Sequence, residues 1–301
     1  MNSLLITRAG PMTTIQDDGR FGHLAHGIGA SGPMDRGAYR YAQALVGAPC
    51  GSAIEVGPLG LDFLYRGGAI GAGFSGGEFR LWIDGVASKW PARATLFDGT
   101  EITIAPGPSG TYAYFRCEAE FDVPVILGSR ATNATVGLGG HQGRGLRAGD
   151  ELGLVSLSSP ALLSEVVSAP RHSDDPFRFV WGIHAESFAA EVRQAFTRAR
   201  FDITPRMDRM GVRLLDREGV FANAGILGLV SDAVVPGDIQ VLGDGTPIVL
   251  MRDNQPTGGY PRIGTIIEPD MDRFAQRRPG QSVRFEPVTV DHAQAIARGG
   301  R

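Results

Sequence analysis

The chain has 301 residues, 43 % of them hydrophobic and 20 % charged, enough for two cores of about 150 residues each. A net charge of −3 offers no basic field for a polyphosphate backbone, and no uncharged run approaches the roughly 20 residues that span a bilayer. Neither nucleic acid nor a membrane is therefore an expected partner, while 43 glycines and 19 prolines predict many turns and a mainly β fold with a few helices.

In chain order, the opening "MNSLLITRAGPM" has no basic leader before an apolar core, so a cytoplasmic location is expected. A glycine-rich stretch from Thr14 to Gly47 follows. Within it, Asp35 is placed to cap a helix on which Ala38, Tyr41, Ala42 and Leu45 keep helical spacing, ending near Gly47. The pattern then alternates: Phe79, Leu81 and Ile83 point one way, Ile102 and Ile104 alternate with polar residues, and Asp-Gly pairs at Asp84 and Asp98 mark turns. Residues Val123 to Gly128 read as a more buried strand.

The text from Ser156 to Phe177 turns rich in Ser, Pro and Asp, which predicts a boundary between domains at 1–168 and 169–301. The second half opens with the strand "FRFVWG". A helix with Phe188, Val192, Phe196 and Ala199 on one stripe comes next, then more short strands. Met-Asp-Arg occurs at Met34 to Arg36 and again at Met207 to Arg209, a weak hint of two related halves.

Several motifs fail on context. "GAGFSG" from Gly71 to Gly76 spells the dinucleotide fingerprint, and "GFSGG" spells a nucleophile elbow at Ser75. Both require a helix immediately afterwards, where "EFRLWIDG" alternates as a strand. His23 and His26 lack a third ligand, so no metal site is expected. Cys50 and Cys117 have no metal-ligand spacing either, and in a cytosolic chain both are expected to be reduced. Lys89, the only lysine, lies in "ASKWP" without the methionine neighbours of a biotin carrier, so no covalent biotin is expected.

Two stretches hold as candidate sites. In the first, Gln16, Asp17, Arg20, His26, Ser31, Asp35 and Arg36 sit among glycines that let a ligand approach the backbone, although capping and turn closure would equally explain Asp35, Gln16 and Asp17. In the second, Gln240 ends a strand, Thr246 to Asp253 reads as a buried strand emerging at charged residues, and Thr257, Gly258, Gly259 and Tyr260 follow. That arrangement suits a backbone nest beside a general base or ligand anchor, Asp253. Arg206, Asp208 and Arg209 read as an ion-paired turn or an anion clamp.

With both stretches in view, the chain resembles the biotin-dependent carboxyltransferase-like family, also called allophanate hydrolase subunit 2. The resemblance rests on "TTIQDDGRFG", "SGPMDRGAYRYAQALVG", "AIEVGPLGL", "DVPVILGSRAT", "GLRAGDEL", "MDRMGVRL", "PGDIQV", "PIVLMRDNQPTGGYPRIG" and "RPGQSVRF", in order along nearly the whole chain. It implies two cyclophilin-like β-barrel domains with a site drawing on both loops. There Asp253, Gln240 and Asp35 are the expected catalytic residues. Gln16, Arg36, Ser31, His26, Arg209, Thr257, Gly258, Gly259 and Tyr260 are expected at the substrate.

The activity so implied is that of the C-type subunit of an ATP-dependent hydrolase of the 5-oxoprolinase type, acting on a small amide or lactam with a B-type and an A-type subunit. No nucleotide motif is visible, so ATP is expected to be shared with or supplied by those partners. The alternatives within the family are a carboxyltransferase component of a urea carboxylase or allophanate hydrolase system, and a non-catalytic Kip-type regulator that binds an inhibitor protein. The chain departs from the family's usual text at Cys117 to Glu120 and at Asp253 to Pro256, both expected in site walls.

Overall fold

The structure, a computed structural model, describes residues 2–48, 51–156, 173–222 and 229–299. Cys50 and most of the expected boundary segment lie outside the described residues. The chain divides into two compact units, one of Met1–Gly22 with Ala30–Arg171, the other of His23–Gly29 with His172–Arg301. As composition predicted, it is mainly β, with 41 % strand and 15 % helix.

In the first unit, a ten-stranded sheet is built on two long antiparallel strands, Ile70–Ile83 and Glu101–Cys117. Alternation sends Phe79, Leu81, Ile102 and Ile104 inward, where each is at most 3 % exposed. The pairing slips around Gly76 to Glu78. Gly76 adopts φ +119°, and a Cβ there would sit 2.5 Å from the Tyr112 carbonyl oxygen, so only glycine lets the pair bend at that point. The fingerprint-like Gly71 to Gly76 lies inside the first of these strands, and Ser75 is buried with its hydroxyl donating to the Ala38 carbonyl.

The helix Arg36–Val46 begins where Asp35 accepts the Ala38 amide at 2.8 Å and ends at Gly47 in the left-handed region. Its buried face, Ala38, Tyr39, Ala42 and Val46, is the expected stripe shifted by part of a turn. One reading fails: Val123 to Gly128 forms no strand. Pro124 is exposed, Leu127 has φ +52°, and only an isolated bridge joins Ile126 to Ser129.

In the second unit, eight strands run in the order Ser282–Val283, Phe201–Met207, Gly211–Asp216, Pro247–Leu250, Asp238–Val241, Arg262–Ile266, Phe177–Trp181, Phe285–Pro287. The two ends of that order come from one chain segment, 282–287, so the sheet curls until its edges nearly meet, as a closed barrel requires. Aromatic rings fill the interior, with Phe196 of the helix Ala190–Arg198 stacked on Phe285 at 5.1 Å and set against Phe179 at 5.3 Å. No described helix is long and apolar enough to cross a membrane.

Candidate functional site

The barrel of the second unit has an inner and an outer row on each strand. Val212, Leu214, Ile239, Val241 and Val249 point into the core and are buried. The alternate positions Gly211, Arg213, Gln240, Leu242, Ile248 and Leu250 therefore share the opposite face. With Pro205 to Asp208, Met210, Gln255 and Tyr260 they line a cleft of about 680 Å³, within the range of small-molecule sites.

Register places the cleft's polar groups. Arg213 pairs across to Ile248, Ile248 to Gln240, and Gln240 to Arg262, so these four form one row across neighbouring strands. The Gln240 amide nitrogen donates weakly to the Tyr260 carbonyl at 3.4 Å, which anchors the side chain beneath Tyr260. Gly258 leaves room beside it: a Cβ there would sit 2.6 Å from that same nitrogen and push the Gln240 amide aside. Arg262 is held by Asp238 at 3.3 Å and by Asp232. The side chains of Arg206 and Arg213 make no ion pair among the described residues, although the charge of Arg213 helps to lower the pKa of Asp244. Asp208, the one carboxylate of the lining, accepts the amides of Met210 and Gly211 at 2.7 and 3.1 Å, closing its own turn.

Asp253 does not emerge at an open strand end. The strand stops at Leu250 and the chain turns, burying Arg252, Asp253 and Asn254. Asp253 takes a two-point ion pair from Arg209, at 2.8 and 3.0 Å, and its own amide donates to the Arg209 carbonyl at 2.7 Å. This lock ties the turn after Met207 to the turn after Leu250, the two turns that flank the cleft. Thr257–Gly258 pairs with Asp232–Ala233, and the Gly259 carbonyl accepts the Leu229 amide at 2.7 Å, so this run is ordered by backbone pairing.

The first unit uses its candidates mostly to fasten its own loops. Gln16 is fully buried, donating to the Thr132 carbonyl at 3.0 Å and accepting the Gly32 amide at 3.1 Å. Asp17 holds Ser129 and the Arg130 amide at 2.6 and 2.5 Å, and Arg20 donates to the carbonyls of Ile126 and Ala131 at 2.9 and 2.8 Å. Asp35 caps its helix, with Arg36 at the first helical position. Ser31 is buried in the left-handed region at φ +57°. His26 ends a short exposed 3-10 turn that belongs to the second unit. Of the departing segment, Glu120 takes the Ser52 amide at 3.0 Å and Glu118 the Gly71 amide at 3.1 Å, so both stabilise the first unit's fold.

Residues 26–287 match the family model described as carboxyltransferase domain, subdomain A and B. The chain belongs to this family. The C-type subunit of the 5-oxoprolinase of Escherichia coli (strain K12) is 34 % identical over 96 % of this chain and 93 % of its own length. The urea amidolyase of Lachancea kluyveri is 30 % identical over 97 % of this chain, which spans only 17 % of that enzyme. In fold, the chain is similar to the crystal structure of the K. lactis urea amidolyase, with a TM-score of 0.87, 24 % identity, and coverage of 98 % of this chain and 19 % of that one. The expected family and its mainly β, barrel-forming architecture are thus borne out. Sequence reasoning missed Arg213, Ile248 and Leu250 as cleft residues, though period-2 alternation from Gln240 and Gly211 would have found their face.

Proposed function

We propose that the chain is the C-type subunit of a cytoplasmic, ATP-dependent 5-oxoprolinase that opens the lactam of 5-oxoproline to glutamate with a B-type and an A-type subunit. The observation that carries this reading is the end-to-end match to the C-type subunit of 5-oxoprolinase, which covers both proteins almost entirely. The urea amidolyase match, by contrast, concerns a small part of a much longer enzyme.

A lactam is a resonance-stabilised amide, so water attacks its carbonyl only after the oxygen has been activated, for instance by phosphorylation, and with a base to direct the water. In this reading ATP supplies the activation through the assembled complex, and the chain carries no biotin. The second unit's cleft holds the ring: Gln240 faces the amide, Tyr260 covers it, and Gly258 leaves the space for Gln240. Asp253 and Arg209 act by positioning, since their ion pair fixes the turns beside the cleft. Gln16, Ser31, Asp35 and Arg36 order the first unit's loop, and any contact they make with substrate is made through that loop.

The test is ATP-dependent glutamate formation from 5-oxoproline by the co-purified A-type, B-type and C-type subunits, repeated with this chain omitted. Turnover that requires the chain supports the reading. Equal turnover without it, or none from a stable assembly of all three, overturns it.

A further inference from the structure

Two features of the cleft have no partner among the described residues. Arg206 is exposed and Arg213 half-buried, and neither guanidinium reaches a carboxylate among the described residues, although this protein pairs many of its arginines: Arg8, Arg144, Arg178, Arg209, Arg217, Arg252 and Arg262 all reach one. The carbonyl end of the Gln240 amide likewise accepts no hydrogen bond among the described residues. Between them lie Ile248, Leu250, Leu242 and Met210, an apolar floor.

Register gives the spacing. Arg213 and Gln240 flank Ile248 on neighbouring strands, so their Cα atoms are roughly 9–10 Å apart, and an arginine stem spans much of that gap along the floor. An anion laid over Ile248 would have one end at the guanidinium and its other end at the Gln240 amide. Two planar guanidiniums with no ion pair among the described residues select an acceptor with paired oxygens. The amide oxygen selects an N–H donor, and the floor selects methylene groups. A polyphosphate satisfies only the first of these demands.

We propose that Arg206 and Arg213 form a carboxylate clamp that makes this cleft selective for a small amide bearing a negative charge, with Gln240 accepting the ligand's amide N–H. This rests on the proposed 5-oxoprolinase function for the identity of the ligand, 5-oxoproline. It goes beyond that function in assigning specificity: the clamp discriminates against neutral amides such as urea and uncharged lactams, whose binding would leave both guanidiniums unpaired while losing a charge-assisted contact.

The experiment is equilibrium dialysis of labelled 5-oxoproline against the co-purified complex without ATP, for the wild type, Arg213→Gln and Arg206→Gln, with 5-oxoprolinamide as the uncharged competitor. The same preparations are assayed for ATP-dependent glutamate formation. The expected result is a Kd for 5-oxoproline that rises by about tenfold or more in each variant, and a preference for the acid over the amide that collapses in both, with melting temperatures retained. An unchanged Kd, a retained preference, no saturable binding by the wild type, or displacement by tripolyphosphate more readily than by unlabelled 5-oxoproline overturns the clamp. Turnover with arginine-independent binding removes the clamp and leaves the proposed function standing. Arginine-dependent binding without turnover does the reverse.

Discussion

Replacing Asp253 with alanine isolates what the Arg209 lock contributes. Both side chains are nearly buried, 7 % exposed for arginine and 3 % for aspartate, and they share two charge-assisted bonds at 2.8 and 3.0 Å. Removing the carboxylate takes both of these bonds from a guanidinium held inside the protein, a change that costs about 3–5 kcal/mol in comparable buried pairs. With an m-value of about 1.5 kcal/mol/M in urea, the unfolding midpoint should fall by about 2–3 M. Because the chain has two units, the probe must report the second alone. Trp181 lies there, whereas Trp82 and Trp90 lie in the first, so intrinsic fluorescence in a Trp82→Phe, Trp90→Phe background follows the correct transition. Adding Arg209→Met to Asp253→Ala should recover much of the loss, since the buried guanidinium that lost its two bonds is then gone. A midpoint shift below about 0.5 M, or a double variant weaker than the single one, would refute the positioning role and return Asp253 to the acid–base candidates.

Three further outcomes follow from the first unit. Asp150 accepts both terminal nitrogens of Arg144 at 2.8 Å, and this bond above all, aided by the Arg147 amide, holds its carboxyl below the usual aspartate range. A depressed folded value contributes stability that is complete above the unfolded value of about 3.9 and is lost as pH falls through the folded one. Arg144→Gln should therefore lower the urea midpoint near pH 6, and its gap from the wild type should close progressively below about pH 4; a pH-independent gap contradicts this. Tyr114 is fully buried, donating to Glu55 at 2.7 Å and accepting the Asp35 amide at 2.8 Å. Tyr114→Phe should cost about 1–3 kcal/mol in urea titration, and a loss under about 0.5 kcal/mol would dismiss the network. Burial pushes the Cys117 thiol up to about 11, so its peptide should resist iodoacetamide at pH 8 in the folded protein and label fully in denaturant; rapid native labelling of that peptide would show an open site.

Local chemistry made much of the fold legible. The hairpin at Asp84 and Gly85, with φ +50° and +74°, and the inward Phe79 and Leu81 depend on residues within a few positions of one another. Asp35 likewise announces its helix from three residues away. The strand expected at Val123 to Gly128 failed because its apolar run is organised from elsewhere. Arg20 reaches Ile126 and Asp17 reaches Ser129 across separations of 106 and 112 residues, and these bonds fix a bend that no local pattern records.

The same distinction separates the two candidate stretches. A polar residue among glycines invites a ligand or a long-range staple equally well, and in the first stretch the structure assigns staples to Gln16, Asp17 and Arg20. In the second, Arg213 reads as an ordinary outward residue between Val212 and Leu214. Its distinction comes from Ile248 and Gln240, placed beside it by register rather than by sequence. The repeated Met-Asp-Arg makes the point most sharply. Asp35 caps a helix, whereas Asp208 closes a turn between strands. The arginine after Asp35 opens that helix, whereas Arg209 is drawn into the interior by Asp253, 44 residues away. One tripeptide takes different roles because a charged side chain goes to the partner that offsets its desolvation, and only the fold decides which partner is within reach.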